Sequence, residues 1–277
     1  MSKKAVLTEY TLSLSKIKKP FDLALVSDLH ERRSDDILML LKKAKPDLIA
    51  VAGDTFERVG DGSTDRSGRD KRGPALRFAI KAAAYFNYFM IHTFSKKNLP
   101  KTENAYGFLT EAAKLAPVYI SLGNHEYELE DEDLRMLENN GIVLLDNADC
   151  CANVKGNLLR IGGLSSDPDE EWLERFSQSV GFKLLLCHHP EYYDSMVSKL
   201  DIDLVLAGHN HGGQIRLFGH GVLSSRSGLF PKYDSGLFDD RLVVSAGCAN
   251  TVALPRLFNP RELVLIHINP KENHLER

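Results

Sequence analysis

The chain contains no run of about 18 uncharged apolar residues, so no segment of it reads as a membrane-spanning helix. Its opening stretch, MSKKAVLTEYTLSLSK, carries lysines but lacks the apolar core of a secretory signal. Cysteine is scarce. Cys150, Cys151, Cys187 and Cys248 show no CxxC spacing, which sets aside the paired-thiol motifs and fits reduced, packed thiols of a cytoplasmic protein. A large charge imbalance is also missing. The formal net charge of −3 argues against a protein that coats nucleic acid. Neither an internal repeat nor a low-complexity segment is found. The expected location is the cytoplasm, with a membrane-peripheral position as the alternative.

What is present is a chain of 277 residues, 43% hydrophobic, long enough for one large domain or two small ones. Five short blocks decide between these. Each closes a hydrophobic, strand-like run: Asp28-Leu29-His30 after LALVS, Gly53-Asp54 after LIAVA, Gly123-Asn124-His125-Glu126 after VYISL, His188-His189-Pro190 after KLLLC, and Gly208-His209-Asn210-His211 after DLVLA. Side chains at the ends of successive strands converge when the strands share a sheet. The blocks run from Asp28 to His211, so splitting the middle of the chain would split the cluster. A single domain over 1–277 is expected.

The donor types point to metal. Carboxylate and amide oxygens together with imidazoles suit Mn, Fe, Zn or Co rather than calcium. Asp28 and His30 stand at i and i+2, which in extended chain project to the same side and can reach one ion. His209 and His211 repeat that spacing. Asp54 has two oxygens, and one carboxylate can bridge two cations about 3.5–4 Å apart. Two divalent ions against two aspartates leave a net positive site, suited to an anionic phosphoryl group. Taken singly, DLH, GD and a lone histidine are common in proteins that bind no metal; GNHE and GHNHGG are far more specific. Cys187 is expected in the core, because in a strand its side chain points away from that of His188. By the same alternation His189 is expected to face away from His188 and to be a supporting or exposed residue rather than a ligand.

Periodicity gives strands at 5–14 and 21–27, a helix at 34–44 with Ser34 as its cap and Pro46 beyond its end, and a strand in LIAVAG. Strand, helix, strand implies a parallel pair. Residues 57–74 are polar and glycine-rich and read as a long loop; 75–94 read as a helix apolar on most of its circumference. This insertion, about 57–94, starts three residues after Asp54 and so belongs at the rim of the cleft. Arg58, Arg66, Arg69, Lys71 and Arg72 in it are candidates for meeting phosphates. Further helices are expected near 104–116 and 130–140, and strands in IVLLDN, LLRIGGL, FKLLLCHH, DLVLAGH, LVVSAG and ELVLIHI. Helices thin out in the second half, where mixed strand pairing is expected.

In D-x-H, GD, GNHE, H-x-P and GHxHGG the chain resembles the calcineurin-like metallophosphoesterase superfamily. GHNHGGQIRLFG, YDSGLF, SAG and FNPRELVLI are similar to a bacterial phosphohydrolase branch with GHxHGGQ. The resemblance covers about residues 20–268. It implies an α/β fold, a four-layer α/β/β/α sandwich of two mixed sheets. It also implies a binuclear metal-dependent phosphohydrolase, a phosphodiesterase or phosphomonoesterase in which the metals activate water. Asp28, His30 and His211 would hold one metal; Asn124, His188 and His209 the other; Asp54 would bridge. His125 would be the catalytic acid toward the leaving group, with Glu126 orienting it or supporting the turn. The cofactors implied are two divalent ions, manganese first, with Fe, Zn, Co, Ni or Mg as the others. The partner is a phosphorylated small molecule or a lipid-linked substrate, and a lipid-linked pyrophosphatase of the nucleotide-sugar-lipid type is the alternative activity. A non-catalytic metal-binding scaffold is a remote alternative, and it would be expected to lack ligands.

Overall fold

A computed structural model describes residues 4–58, 99–126, 128–224, 228–251 and 256–271. The insertion expected at about 57–94 lies outside the described residues except for Glu57 and Arg58. That holds for its polar loop, for the 75–94 helix, and for Arg66, Arg69, Lys71 and Arg72.

In chain order the first half runs β1 (Val6–Leu14), β2 (Phe21–Val26), α1 (Asp35–Ala44), β3 (Leu48–Ala52), α2 (Thr102–Ala113), β4 (Val118–Ser121), α3 (Asp131–Asn139) and β5 (Val143–Leu145). Then come β6 (Ala148–Val154), β7 (Asn157–Leu164), α4 (Glu170–Ser177), β8 (Phe182–Cys187), a π-helical turn at Tyr193–Val197, and β9 (Leu204–Ala207). Two small ladders follow: β10 (Arg216–Leu217) with β11 (His220–Gly221), and β12 (Leu223–Ser224) with β13 (Gly228–Leu229). The chain closes with β14 (Gly236–Phe238), β15 (Leu242–Val244) and β16 (Glu262–Pro270).

Two six-stranded sheets result, ordered β1-β16-β2-β3-β4-β5 and β14-β15-β9-β8-β7-β6. Both are mixed. In the first, β2 to β5 are parallel while β16 is antiparallel to β2. In the second, β7, β8, β9 and β15 are parallel and the edges β6 and β14 are antiparallel. Mixed pairing is therefore not confined to the second half, because the last strand returns to the first sheet.

Period-two alternation explains the layering. Leu48, Ala50 and Ala52 of β3 face a core shared with Leu184 and Leu186 of β8 and Leu204 and Leu206 of β9, between the sheets. Ile49 and Val51 face the opposite way, onto Ile37 and Leu41 of α1 and Leu109 of α2. Leu185 and Cys187 of β8 face Trp172, Leu173 and Phe176 of α4. Three apolar cores separate four layers, helix, sheet, sheet, helix, and strands buried on both faces read as unbroken apolar runs. Cys187 is core, on the helix side, as alternation requires.

The helices expected at 34–44, 104–116 and 130–140 are present, with ends shifted by up to three residues. Ser34 precedes α1, but its hydroxyl donates to the Arg32 carbonyl instead of capping the helix. α4 and the edge strand β6 are additions to the sequence reading. The signal for α4 was available: Asp169 accepts from the Trp172 amide at 2.9 Å, ahead of Glu170 and Glu171 and an apolar stripe. Among the described residues no helix is long and apolar enough to cross a membrane.

Candidate metal centre

The five blocks leave the ends of β2, β3, β4, β8 and β9, three strands from one sheet and two from the other. Because the sheets pack face to face, these ends adjoin. Backbone bonds lace the loops together: Asp28 N–H to Gly53 O at 3.1 Å, His30 N–H to Asp54 O at 2.9 Å, and Gly208 N–H to His188 O at 3.2 Å.

The i, i+2 pairs do converge, but not by the alternation of extended chain. Asp28, His30, Asp54, His209 and His211 all adopt left-handed backbone, with φ of 56°, 48°, 54°, 72° and 49°. Turns aim these side chains. Each such residue costs about 1–2 kcal/mol against ordinary backbone, so the surroundings must hold it there. Close approach adds a second constraint. A Cβ at Gly208 would lie 2.6 Å from an Asp28 carboxylate oxygen, and one at Gly123 would collide with an Asp54 oxygen.

The ligating atoms gather in overlapping groups. Asp28, His30 and His211 form one; Asp54, His188 and His209 form another. His30 Nε2 is 3.8 Å from Asp28 Oδ1, and His211 Nε2 is 3.5 Å from the same oxygen. His188 Nε2 is 3.1 Å from Asp54 Oδ2, and His209 Nδ1 is 3.3 Å from His188 Nε2. Asp54 joins the groups, since the same Oδ2 is 3.5 Å from His30 Nε2 and 3.9 Å from His125 Nε2. Asn124 and His125 form the turn after β4, and the His125 amide donates to Asp54 Oδ1 at 2.9 Å.

The donor set fits divalent cations. Asp28 and Asp54 are completely buried, and His30 Nε2 is buried with no hydrogen-bond partner among the described residues. Burial opposes ionisation of Asp54, yet His188 and His125 outweigh it and hold the carboxyl well below its ordinary range. Burial likewise opposes charge on His30 and His188, but Asp28 and Glu57 draw the first up to about 10, and Asp54 draws the second up to about 9. His209 and His211 go the other way. Burial pushes them down to about 2 and about 3, helped by the neighbouring His188 and His30. Two buried carboxylates thus demand positive charge at the positions that metal ions would fill.

Three acidic residues hold this cluster in place. Glu57, read from sequence only as the start of the insertion, belongs to the centre. Its carboxylate accepts from His30 Nδ1 at 2.9 Å and from His125 Nδ1 at 2.8 Å. With both Nδ1 atoms donating to Glu57, both Nε2 atoms face the aspartates. The backbone carbonyl of Ala52 does the same for His188, at 2.8 Å. Glu126 supports the turn: it accepts the amides of Asp54, Thr55, Phe56 and Gly123 at 2.5–3.0 Å. Asp133 anchors Arg58, which corrects the expectation that Arg58 meets phosphate. The Arg58 guanidinium is buried against Asp133 and Glu31, at 2.8 and 2.7 Å. Its backbone N–H reaches His125 O at 2.7 Å, so it fastens the chain after Asp54 to the GNHE turn.

His189 departs from expectation in its direction, since it does not face away from His188. Its ring lies 4.4 Å from that of His209, and Nε2 and Nδ1 meet Ser166 Oγ at 2.9 Å and Glu191 at 3.1 Å. The strand ends at Cys187, so alternation no longer governs position 189. Behind His211 lie two residues that motif reading left without a role. Arg256 Nη2 sits 3.2 Å from His211 Nδ1, and Asn259 donates to the carbonyls of His211 and Gly213.

The sequence model of the calcineurin-like phosphoesterases matches residues 21–213. An uncharacterized Bacillus subtilis protein, YpbG, is 25% identical over 221 residues, 76% of this chain and 69% of that one. An uncharacterized metallophosphoesterase of the same organism, YkoQ, is 33% identical over 130 residues, 43% of this chain and 47% of that one. Among solved structures, the calcineurin-like phosphoesterase YfkN from Bacillus subtilis aligns with a TM-score of 0.44 at 13% identity, over 84% of this chain and 83% of that one.

Proposed function

The chain belongs to the calcineurin-like phosphoesterase family and is a metal-dependent hydrolase of phosphate esters; from that premise we propose a binuclear centre acting on phosphomonoesters or phosphodiesters. Asp28, His30 and His211 would hold one cation, and Asn124, His188 and His209 the other. Asp54 would be shared. Manganese is the first choice, because the set mixes carboxylate, amide oxygen and imidazole without thiolate. Bound cations would supply charge neutralisation on the phosphoryl oxygens and make water acidic enough to attack at neutral pH.

The observation that carries this reading is the position of one oxygen. Asp54 Oδ2 lies within 4 Å of His30, His188 and His125 at once, completely buried, at the junction of the two ligand groups. The remaining roles belong to the chain's own residues. Glu57 keeps His125 protonated at Nδ1 and turns Nε2 toward the cluster. There, carrying a second proton at Nε2, His125 would steady a phosphoryl oxygen and give that Nε2 proton to the departing alkoxide, leaving the ring neutral with Nδ1–H still on Glu57. Glu126 and Arg58 fix the two loops whose relative position sets the distance from His125 to Asp54. A lipid-linked pyrophosphate is the second reading, favoured by exposed Leu-Phe turns next to the His211 loop.

The test is to strip the protein of metal and reload it separately with Mn, Fe, Zn, Co, Ni or Mg. Metal content and hydrolysis of nitrophenyl mono- and diesters are then measured. Two ions per chain at full activity is the expected result. Full activity with one ion per chain would remove the binuclear assignment.

A further inference from the structure

We propose that three Leu-Phe turns beside the His211 loop form a docking surface for a lipid bilayer carrying anionic headgroups. The turns are Leu217-Phe218-Gly219, Leu229-Phe230-Pro231 and Leu257-Phe258-Asn259, the same dipeptide each time ahead of a turn residue. All six apolar side chains are exposed, and Phe218 wholly so. They make up six of the twelve large hydrophobic residues exposed among the described residues, and the other six are scattered through the rest of the sequence. Scattered exposure is ordinary; a concentration of this kind marks a contact surface.

Backbone geometry supports the same conclusion independently. Phe218, Phe230 and Phe258 have φ of 52°, 52° and 56°. Bulky residues rarely adopt left-handed backbone, and glycine or asparagine would do so more easily. A turn that keeps phenylalanine there, pointing outward, is built for something other than folding. The three turns also form one unit. Arg216 N–H meets Leu257 O at 3.0 Å, Leu257 N–H meets Gln214 O at 3.1 Å, Val222 N–H meets Ile215 O at 2.7 Å, and Phe230 N–H meets Val222 O at 3.0 Å. Asn259 bonds this unit to the carbonyls of His211 and Gly213.

Charge selects the occupant. Residues 212–261 carry six Arg and Lys against three Asp and no Glu, in a chain with 38 acids against 35 Lys and Arg. The cations are Arg216, Arg226, Lys232, Arg241, Arg256 and Arg261, and the acids are Asp234, Asp239 and Asp240. Arg216 pairs with Asp234, Lys232 with Asp194 and Arg261 with Asp36, and Arg256 lies behind His211, so the local sign rests on the excess of cations over acids in this stretch. That excess favours anionic headgroups over neutral ones. Shape selects it too. A stable protein interface needs about 800 Å² of continuous complementary surface on each partner. Separate aromatic turn tips instead suit the interfacial zone of a bilayer, where each can insert alone.

The test uses the full chain loaded with manganese. It is co-sedimented with vesicles of phosphatidylcholine alone and of equal parts phosphatidylcholine and phosphatidylglycerol. Binding is expected to be stronger to the mixed vesicles. The F218S/F230S double variant should partition about tenfold less or weaker still, since two exposed aromatic side chains lose their apolar sink. Its turnover of a soluble nitrophenyl ester should match the parent, which verifies the fold. A second variant, Phe218→Trp, should keep binding and shift its fluorescence to the blue on adding vesicles. The proposal is overturned if the parent does not sediment, if the double variant with intact turnover sediments equally, or if the tryptophan shows no shift. It is equally overturned if the parent is a dimer that the double variant breaks while vesicle binding is absent. Loss of the phosphoesterase reading would appear separately, as no ester hydrolysis by the loaded parent, and leaves the vesicle result to stand alone.

Discussion

Left-handed residues other than glycine occur in two functional regions of this molecule with opposite character. At the strand ends they are Asp28, His30, Asp54, His209 and His211, polar and buried. In the Leu-Phe turns they are Phe218, Phe230 and Phe258, apolar and exposed. Both regions invert the usual rule for what lies inside and what lies outside. The inversions are held differently. Around the metal centre, charge complementarity, close-packed glycines and the amides gathered by Glu126 leave those backbones no alternative. In the turns, backbone bonds fix the tips and leave Phe218, Leu229 and Phe230 mostly exposed. A strained conformation that buries charge serves chemistry at a fixed point, whereas one that exposes an aromatic ring serves contact with something outside.

The sharpest way to break the comparison is at Asp54. Asp54→Asn removes the charge shared by both ligand groups and should lower both metal content and turnover. Its loss of activity should exceed that of any other single change proposed. Metal analysis beside nitrophenyl turnover checks it; a variant with full metal content and near-normal rate would end the bridging role.

Next is His125→Ala. If His125 delivers a proton, turnover falls on the order of 10²–10⁴ while metal content stays nearly intact. The deficit should shrink for esters with very acidic leaving groups. Loss of one ion instead would make His125 a ligand, in keeping with its place 3.9 Å from Asp54 Oδ2.

Glu57→Gln should cost less, roughly 10- to 100-fold in metal affinity or activity. Glutamine can accept from one imidazole but must turn its amide N–H groups toward the other. The residue was not among the candidates read from sequence, so an effect confined to the metal-loaded enzyme's rate and affinity, with melting temperature unchanged, separates positioning from simple support. Glu57→Asp should recover little, because the shorter arm cannot span both rings.

The smallest effect tests the exposed set. Phe218→Gly relieves left-handed backbone without removing a buried contact, and should raise stability by about 1 kcal/mol, less the entropy glycine adds to the unfolded chain. That corresponds to a rise of at most about 2 °C in melting temperature for a domain of this size. Soluble-ester turnover should be unaltered. A clear drop in melting temperature would show that Phe218 packs onto the fold in solution and does not stand out from it.

Much of this was legible in the residues. The apolar runs ending in Asp28, Asp54, Asn124, His188 and His209 specify strands and what each strand delivers, because burial on both faces admits little but aliphatic side chains. Donor chemistry alone argued for hard divalent metal. Local periodicity carries no information, however, about which neighbour a residue meets after its strand ends. Alternation therefore misplaced His189, and it supplied the wrong reason for the convergence of Asp28 with His30. Glu57 and Arg58 looked like the start of a polar loop; only the packing of these two residues against the GNHE turn and α3 made one a clamp on two imidazoles and the other a cation held between Glu31 and Asp133. Likewise, LF before Gly, Pro or Asn reads as three unrelated turns in sequence. Backbone hydrogen bonds between Gln214, Arg216, Leu257, Val222 and Phe230 made them one surface. Strand identity and ligand type follow from side-chain chemistry and period, which are local; the partners of a buried charge and the grouping of exposed tips depend on contacts between distant segments, and those exist only once the two sheets have closed on each other.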